Sequence, residues 1–369
     1  MNAMTTFLLL AILIPGFLSL MFIPYWTRKT ESFGVSIPEE VYYRSELRDM
    51  RKKYTLSTGI LSVFIMVAFL FTGAYFSSNE NIFSIYFSFL IFIYLIASFL
   101  IYLKFHQAMK KMKEGEKWSK ERFQQVFVNT QFRKERLTYS NLWFILSFMI
   151  AFATIIITFQ SYQQIPEQIP MQYNFAGEVT NWAEKSYRTL LVMPIMQLYL
   201  TLLFLFINSM IGRAKQQINA ENPEESMRKN VIFRRRWSLY IIITGTGNAL
   251  MFSFIQLSFI YPVNQQLLTI VPLVFSLAIT VGAIVLSITT GQGGSRVKTA
   301  ASANGNAIDR DDDKYWKLGQ FYFNKNDPAL FLEKRFGVGW TVNLARPLAW
   351  IIFFVIILLA VGIPFLLGI

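Results

Sequence analysis

The chain contains no cysteine and a single histidine, His106. Disulfides, thiol chemistry and cysteine metal sites are therefore excluded. No His-Glu-x-x-His or Gly-x-Ser-x-Gly pattern occurs, and Gly291-Gln292-Gly293-Gly294-Ser295 lacks the Gly-Lys-Ser/Thr ending of a phosphate loop. Charge is also scarce, at 15% of residues against 54% hydrophobic. A soluble domain of this length needs far more. Most telling, Asp, Glu, Lys and Arg are all missing from eight long apolar runs, at about 4–25, 56–76, 83–103, 140–159, 190–211, 237–258, 267–289 and 348–368.

About 20 apolar residues make a helix that crosses the roughly 30 Å hydrocarbon core. A helix also satisfies its own backbone hydrogen bonds, as lipid demands. The runs do not alternate polar with apolar, so β-barrel strands are excluded. The expected fold is an all-α polytopic membrane protein with eight transmembrane helices. The first run, with no basic region before it, reads as a retained helix rather than a signal peptide.

Basic residues fix the expected orientation. Of 35 Lys and Arg, 33 fall in alternate gaps: seven in 26–55, ten in 104–139, seven in 212–236 and nine in 290–347. Residues 77–82 and 259–266 carry none, and 160–189 carry two. Positive gaps belong in the cytoplasm, which puts both termini outside. The net charge of +13 then reads as topology and contact with anionic lipid rather than direct nucleic-acid binding.

Six regions follow along the chain: 1–139 with helices 1–3 and basic loops, 140–211 as a helix pair with outer loop 160–189, 212–290 with helices 6 and 7, a Gly/Ser/Ala/Asn-rich linker at 291–308, a small cytoplasmic aromatic element at 309–347, and helix 8 at 348–369. Residues 104–136 are expected to prolong helix 3, and a short helix is expected near Pro223. Gly245 and Gly247 mark a close helix contact.

Two segments carry candidate binding residues. In the outer loop, Pro166 and Pro170 stiffen the chain, Asn174 and Gly177 suit a turn, and Tyr173, Phe175 and Trp182 pack a miniature core or lie along the interface. Pro170, Tyr173, Asn174, Gly177, Trp182 and Lys185 are the candidate ligand contacts; the alternative is a cap sealing helices 4 and 5. In the cytoplasmic element, Asn326-Asp327-Pro328 signals a turn or helix start, between aromatic clusters around Trp316 and Trp340. Tyr315, Trp316, Asn324, Asp327, Arg335, Gly337 and Trp340 are candidate contacts for a cytoplasmic protein; the alternative is a small domain docked on the inner face. Gln197, Asn208, Thr244, Asn248 and Gln256 put polar groups into helices 5 and 6, as helix–helix glue or as a polar path. No catalytic residue, metal site or cofactor is indicated.

Ile169-Pro170-Met171-Gln172-Tyr173-Asn174-Phe175-Ala176-Gly177, followed by Trp182 and Lys185, resembles the outer-loop motif of the bacterial SdpI-like membrane proteins, with Gln172 where many members hold histidine. Residues 33–39 and 311–343 resemble segments of a longer branch. The resemblance implies a multi-pass protein of the bacterial plasma membrane. The characterised relative confers immunity to a secreted toxic peptide and holds a transcriptional repressor at the membrane. The expectation is thus a non-enzymatic immunity or signal-sensing protein, whose partners are the lipid bilayer, an extracellular peptide or envelope ligand, and a cytoplasmic repressor or other protein. A transporter or permease subunit is the alternative, and a membrane enzyme acting on envelope precursors is third.

Overall fold

The computed structural model describes residues 3–75, 80–116, 118, 136–173, 178–218, 223–297 and 312–367. Eight helices dominate it: α1 (Ala3–Trp26), α2 (Ser45–Tyr75), α3 (Glu80–Gly115), α4 (Phe144–Gln160), α5 (Tyr187–Arg213), α6 (Pro223–Leu257), α7 (Gln265–Thr290) and α8 (Pro347–Leu367). All eight are long and apolar enough to cross a bilayer, as the uncharged runs require. Three are much longer than a crossing needs. At 1.5 Å per residue, the 36 residues of α3 reach about 54 Å. The short helix expected near Pro223 is therefore the first turns of a continuous α6, and Arg234, Arg235 and Arg236 lie inside that helix.

The all-α expectation is incomplete, because among the described residues four two-stranded antiparallel hairpins lie in the connections. They are β1 (Glu31–Ser32) with β2 (Val35–Ser36), β3 (Gln168–Tyr173) with β4 (Val179–Glu184), β5 (Trp316–Lys317) with β6 (Phe321–Tyr322), and β7 (Phe331–Glu333) with β8 (Trp340–Val342). Six of these strands have only two or three residues, too short to show an alternating pattern in sequence.

Contacts divide the chain into two compact units that ignore its linear order. The first comprises Met1–Glu135, Ala214–Phe233 and Thr280–Arg346; the second comprises Arg136–Arg213, Arg234–Ile279 and Pro347–Ile369. The aromatic element expected after a linker is thus part of the first unit. Within the expected linker, residues 291–297 form a turn in which Gln292 is fully buried, and 298–308 lie outside the described residues.

In the first unit, α1, α2 and α3 pack through Phe17, Ile65 and Tyr94. Beyond them lies a larger core of Phe33, Val35, Ile37, Leu47, Tyr54, Tyr102, Met109 and Phe336. Its pivot is the turn between β1 and β2, where Phe33 and Gly34 both have positive φ (47° and 78°). A left-handed conformation costs a non-glycine residue about 1–2 kcal/mol. Burial of the Phe33 ring against Phe105, Tyr54 and Phe336 offsets that with about 2–3 kcal/mol. The Phe33 carbonyl meets His106 Nδ1 at 2.8 Å and lies 3.3 Å from the Tyr102 hydroxyl. The lone histidine is therefore a half-buried clasp.

Gly34 is required twice over. Its φ disfavours any side chain, and a Cβ there collides with the Gly319 backbone and the Tyr102 hydroxyl. Gly34→Ala is expected to destabilise this core by more than 1 kcal/mol, on the order of 2. Amide exchange at residues 31–36 measures it, and unchanged protection would show that the turn relaxes freely.

In the second unit, α4 packs on α5 and α5 on α8. Gly245 lets α6 approach Phe144 and Phe204, and Gly247 faces the Phe275 ring. The close contact expected for this glycine pair is present.

Candidate functional site

The β3–β4 hairpin is mounted firmly on one side and open on the other. Ile169 pairs with Ala183 on the inner face, where Ile165, Ile169, Leu190 and Phe259 form a small core. Lys185 locks the base: its ammonium donates to the Ile165 carbonyl at 2.8 Å, pairs with Glu167 at 3.2 Å and lies 4.8 Å over the Tyr162 ring. Tyr162 in turn stacks on Tyr187 at 4.6 Å. On the other face Pro170 lies opposite Trp182, whose indole is 52% exposed. The miniature core is therefore built from Ile165, Ile169, Leu190 and Phe259, and the tryptophan is presented outward. Tyr173 is half-buried, and burial raises its phenol pKa. Asn174 and Gly177 lie outside the described residues. Of the candidate ligand contacts described, Pro170, Tyr173 and Trp182 share this hairpin, whereas Lys185 is a strut.

Helices α4 and α5, which carry the hairpin, are joined to α6 by a buried hydrogen-bonded seam. Ser147 meets Thr246 at 3.2 Å and Thr154 meets Ser253 at 2.6 Å. The Tyr139 amide donates to Ser238 at 2.9 Å. Each pair is separated by 99 residues, so α4 and α6 run parallel and in register. The seven-residue interval from Ser147 to Thr154, matched by Thr246 to Ser253, returns each hydroxyl to one seam every two turns. From α5, Gln197 Nε2 donates to Ser253 Oγ and the Ala249 carbonyl at 3.0 and 2.7 Å. Gln256 Nε2 reaches Thr158 at 3.2 Å. At the opposite end from the hairpin, Asn208 donates to Asn141 at 2.8 Å and to the Tyr139 carbonyl at 3.1 Å, and accepts from Ser238 at 2.6 Å. An open groove lined by Arg136, Tyr139, Asn141, Ser209 and Arg213 borders this knot. The expected Gln197, Asn208 and Gln256 belong to the seam. Asn248 instead bonds within its own helix to the Thr244 carbonyl at 3.2 Å. Ser147, Thr154 and Ser253 were legible only through their spacing.

Two stretches of the chain match family models. Residues 149–198 match a domain of unknown function (DUF1648), and residues 325–350 match a family of unknown function (DUF5808). No curated protein and no solved structure matches the chain. The DUF1648 stretch runs from α4 through the hairpin to Gln197, and so takes in the platform and part of the seam. The DUF5808 stretch takes in β7, β8 and the turn that opens them.

That second stretch sits in a buried ionic cluster of the first unit. The Arg335 guanidinium, 1% exposed, pairs with Asp312 and Asp313 and lies 5.1 Å over the Trp316 ring. Lys113 of α3 adds a 2.8 Å bond to Asp313. Arg28 pairs with Glu333, which also accepts from Asn230 at 2.8 Å. Asp327 accepts from Lys215 at 2.5 Å and from Tyr322 at 2.8 Å. Gln292 holds Gly339 through both its amide nitrogen and oxygen, at 2.9 and 2.7 Å. Asn343 donates to the Asn324 carbonyl at 2.8 Å.

Burial works against the Asp313 carboxylate, but Arg335 and Lys113 outweigh it and hold its pKa below the usual carboxylate range. Burial likewise opposes the Asp327 carboxylate, and Lys215, the Ala329 amide and Tyr322 bring its pKa below that range. Glu31 differs. It is 6% exposed and one carboxylate oxygen has no hydrogen-bond partner. Burial raises its pKa to about 7, against the opposing pull of Arg28 and Arg335.

The candidate partner contacts are largely interior. Trp316, Asp327, Arg335 and Gly337 are buried, and Tyr315, Asn324 and Trp340 are half-buried. They hold the element together instead of facing outward, because the hairpins are too short to bury anything but their own aromatic and charged side chains. The turn falls at Lys325–Asn326, Asp327 accepts from the Ala329 amide at 3.0 Å, and no helix starts there. Arg28, Glu31, Lys113, Asn230 and Glu333 had no sequence signal, since each partner lies far away in the chain.

Proposed function

We propose that the protein is a non-enzymatic multi-pass sensor or immunity protein of the bacterial plasma membrane. Both termini lie outside and the four basic connections lie in the cytoplasm, as the partition of 33 of 35 Lys and Arg demands. The open hairpin face, with Pro170, Tyr173 and Trp182, meets an extracellular peptide or envelope ligand. The seam passes the event inward, and the arginine-lined groove at its other end receives a cytoplasmic protein, a repressor being the kind the SdpI-like resemblance implies. One observation carries this reading: the helices that bear the hairpin are hydrogen-bonded to α6 along their buried faces, from Gln256 to Asn208. Such a seam has two ways to pair its hydroxyls, and a ligand that favours one pairing shifts the other end.

The test is survival of cells under challenge with envelope-active peptides, alongside recovery of cytoplasmic partners. Trp182→Ala is expected to weaken the response about tenfold, the size of one aromatic hot spot, at unchanged abundance. Asn208→Leu is expected to leave ligand binding intact and remove the inner response. Full response from both variants sinks the proposal.

A second reading, transport, is favoured by the Gln197 and Gln256 side-chain carbonyls, which are buried without a partner. It predicts solute movement in proteoliposomes that Asn208→Leu stops.

A further inference from the structure

The β5–β6 hairpin has one buried face and one bare one. Trp316 and Tyr322 are paired and turn inward onto Leu332. On the outward face Lys317 lies opposite Phe321, and the Phe323 amide donates to the Tyr315 carbonyl at 2.8 Å. Phe321 and Phe323 are 43% and 42% exposed, and Leu318 at the tip is 47% exposed. Lys314, Lys317 and Lys325 around them are exposed as well. Three large apolar side chains left uncovered on so small a hairpin call for an occupant.

The position of the tip names it. Tyr102 is the penultimate residue of the uncharged run 83–103, and Lys104 is the first charge after it. The Tyr102 hydroxyl donates to the Leu318 carbonyl at 2.9 Å. The tip is thereby tied, within one tyrosine side chain, to the level at which α3 leaves the hydrocarbon. Leu318 holds that place in a left-handed conformation (φ 52°), which a leucine adopts at a cost of about 1–2 kcal/mol. Gly319 beside it has no room for a Cβ against Tyr102 and His106. The backbone is fitted to α3 while the leucine side chain is left outside.

We propose that this face is a membrane-interface anchor: Leu318, Phe321 and Phe323 enter the acyl–headgroup boundary, and Lys314, Lys317 and Lys325 meet the phosphates of anionic lipids. Aromatic side chains partition to that boundary, and each lysine near an anionic surface adds attraction. The inward Trp316 of this hairpin lies under the Arg335 guanidinium, which ties the anchor to the ionic cluster.

The absence of native cysteine makes the test direct. Nitroxide labels are placed at Phe321→Cys and, separately, at Phe323→Cys in the full chain, reconstituted in vesicles of neutral lipid with and without one third phosphatidylglycerol. The reference is Lys111→Cys, exposed on α3 and about 12 Å beyond Leu103 along the helix axis. Power saturation compares collisions with oxygen, which concentrates in lipid, and with a neutral nickel chelate, which stays in water. At 321 and 323 the oxygen-to-nickel ratio is expected to exceed that at 111 at least threefold, and to rise further with phosphatidylglycerol. Changing Lys314, Lys317 and Lys325 together to Gln is expected to remove that rise. A nickel-dominated signal at both sites, as at 111, overturns the proposal in favour of a water-exposed face. Low collision rates with both reagents overturn it in favour of a face covered by protein. Each single label leaves the other phenylalanine in place, so the two sites check one another.

Discussion

Replacing Arg335 with alanine is expected to cost the first unit about 3–5 kcal/mol, the range for removing one partner of a buried ion pair. The reason lies in what remains. Asp312 and Asp313 both pair with this guanidinium, which is 1% exposed. Without it, Asp312 loses the guanidinium, Asp313 is left to Lys113 and the Ser36 amide, and Glu31 adds another acid nearby. The Trp316 ring also loses the cation above it. Amide exchange in lipid nanodiscs reads the loss at residues 31–36 and 316–343. Arg335→Lys keeps the charge but not the two-pronged geometry, and is expected to fall between wild type and alanine. If Arg335→Ala leaves protection within about 1 kcal/mol of wild type, the cluster does not hold the unit together.

The second large effect is a pH dependence of unusual sign. Glu31 has its pKa raised to about 7 in the folded protein, from 4.5. Between these values the folded state binds the proton and the unfolded state does not, so stability falls as pH rises from about 4.5 to about 7. The full difference is on the order of 3 kcal/mol. Asp313 and Asp327 act the other way. Their lowered pKa values contribute stability above the usual carboxylate range, which is lost as pH falls through their folded values. The first unit is therefore expected to be firmest in mild acid and looser at pH 8. Glu31→Gln mimics the protonated acid and is expected to abolish the loosening on the alkaline side while keeping the acid limb. Carboxylic C=O absorption that disappears with Glu31→Gln gives an independent check. An alkaline limb of equal size in wild type and Glu31→Gln removes Glu31 as its cause.

The contrast between the two units shows what a one-dimensional reading can reach. Spans are local: twenty residues without charge announce α3 or α8 without reference to the rest of the chain. The outer segment 160–189 is nearly as local: its prolines, aromatics and turn residues marked it as a folded element, although not as the strand pair β3 and β4. What was missed is pairwise. Arg28 meets Glu333, and Thr27 meets Gly337, across some 300 residues. A buried arginine and an exposed one look the same in a basic loop. The same applies to Arg335 and Trp316, which composition marks as surface contacts and geometry makes interior. The seam was half legible, because Gln197 and Asn208 stand out among apolar neighbours while serine and threonine in a helix do not.

The bond from the Gly337 amide to Thr27 sets a schedule for synthesis. The segment holding Arg28 and Glu31 emerges early, yet its counter-charges leave the ribosome some 300 residues later. At 5–20 residues per second that is about 15–60 s. Until residues 312–346 follow, Arg28 lacks Glu333 and Thr27 lacks the Gly337 amide. A chain that stops short of residue 312 lacks Glu333 and Arg335, so the basic and acidic groups at 28 and 31 have no distant counter-charges to close on.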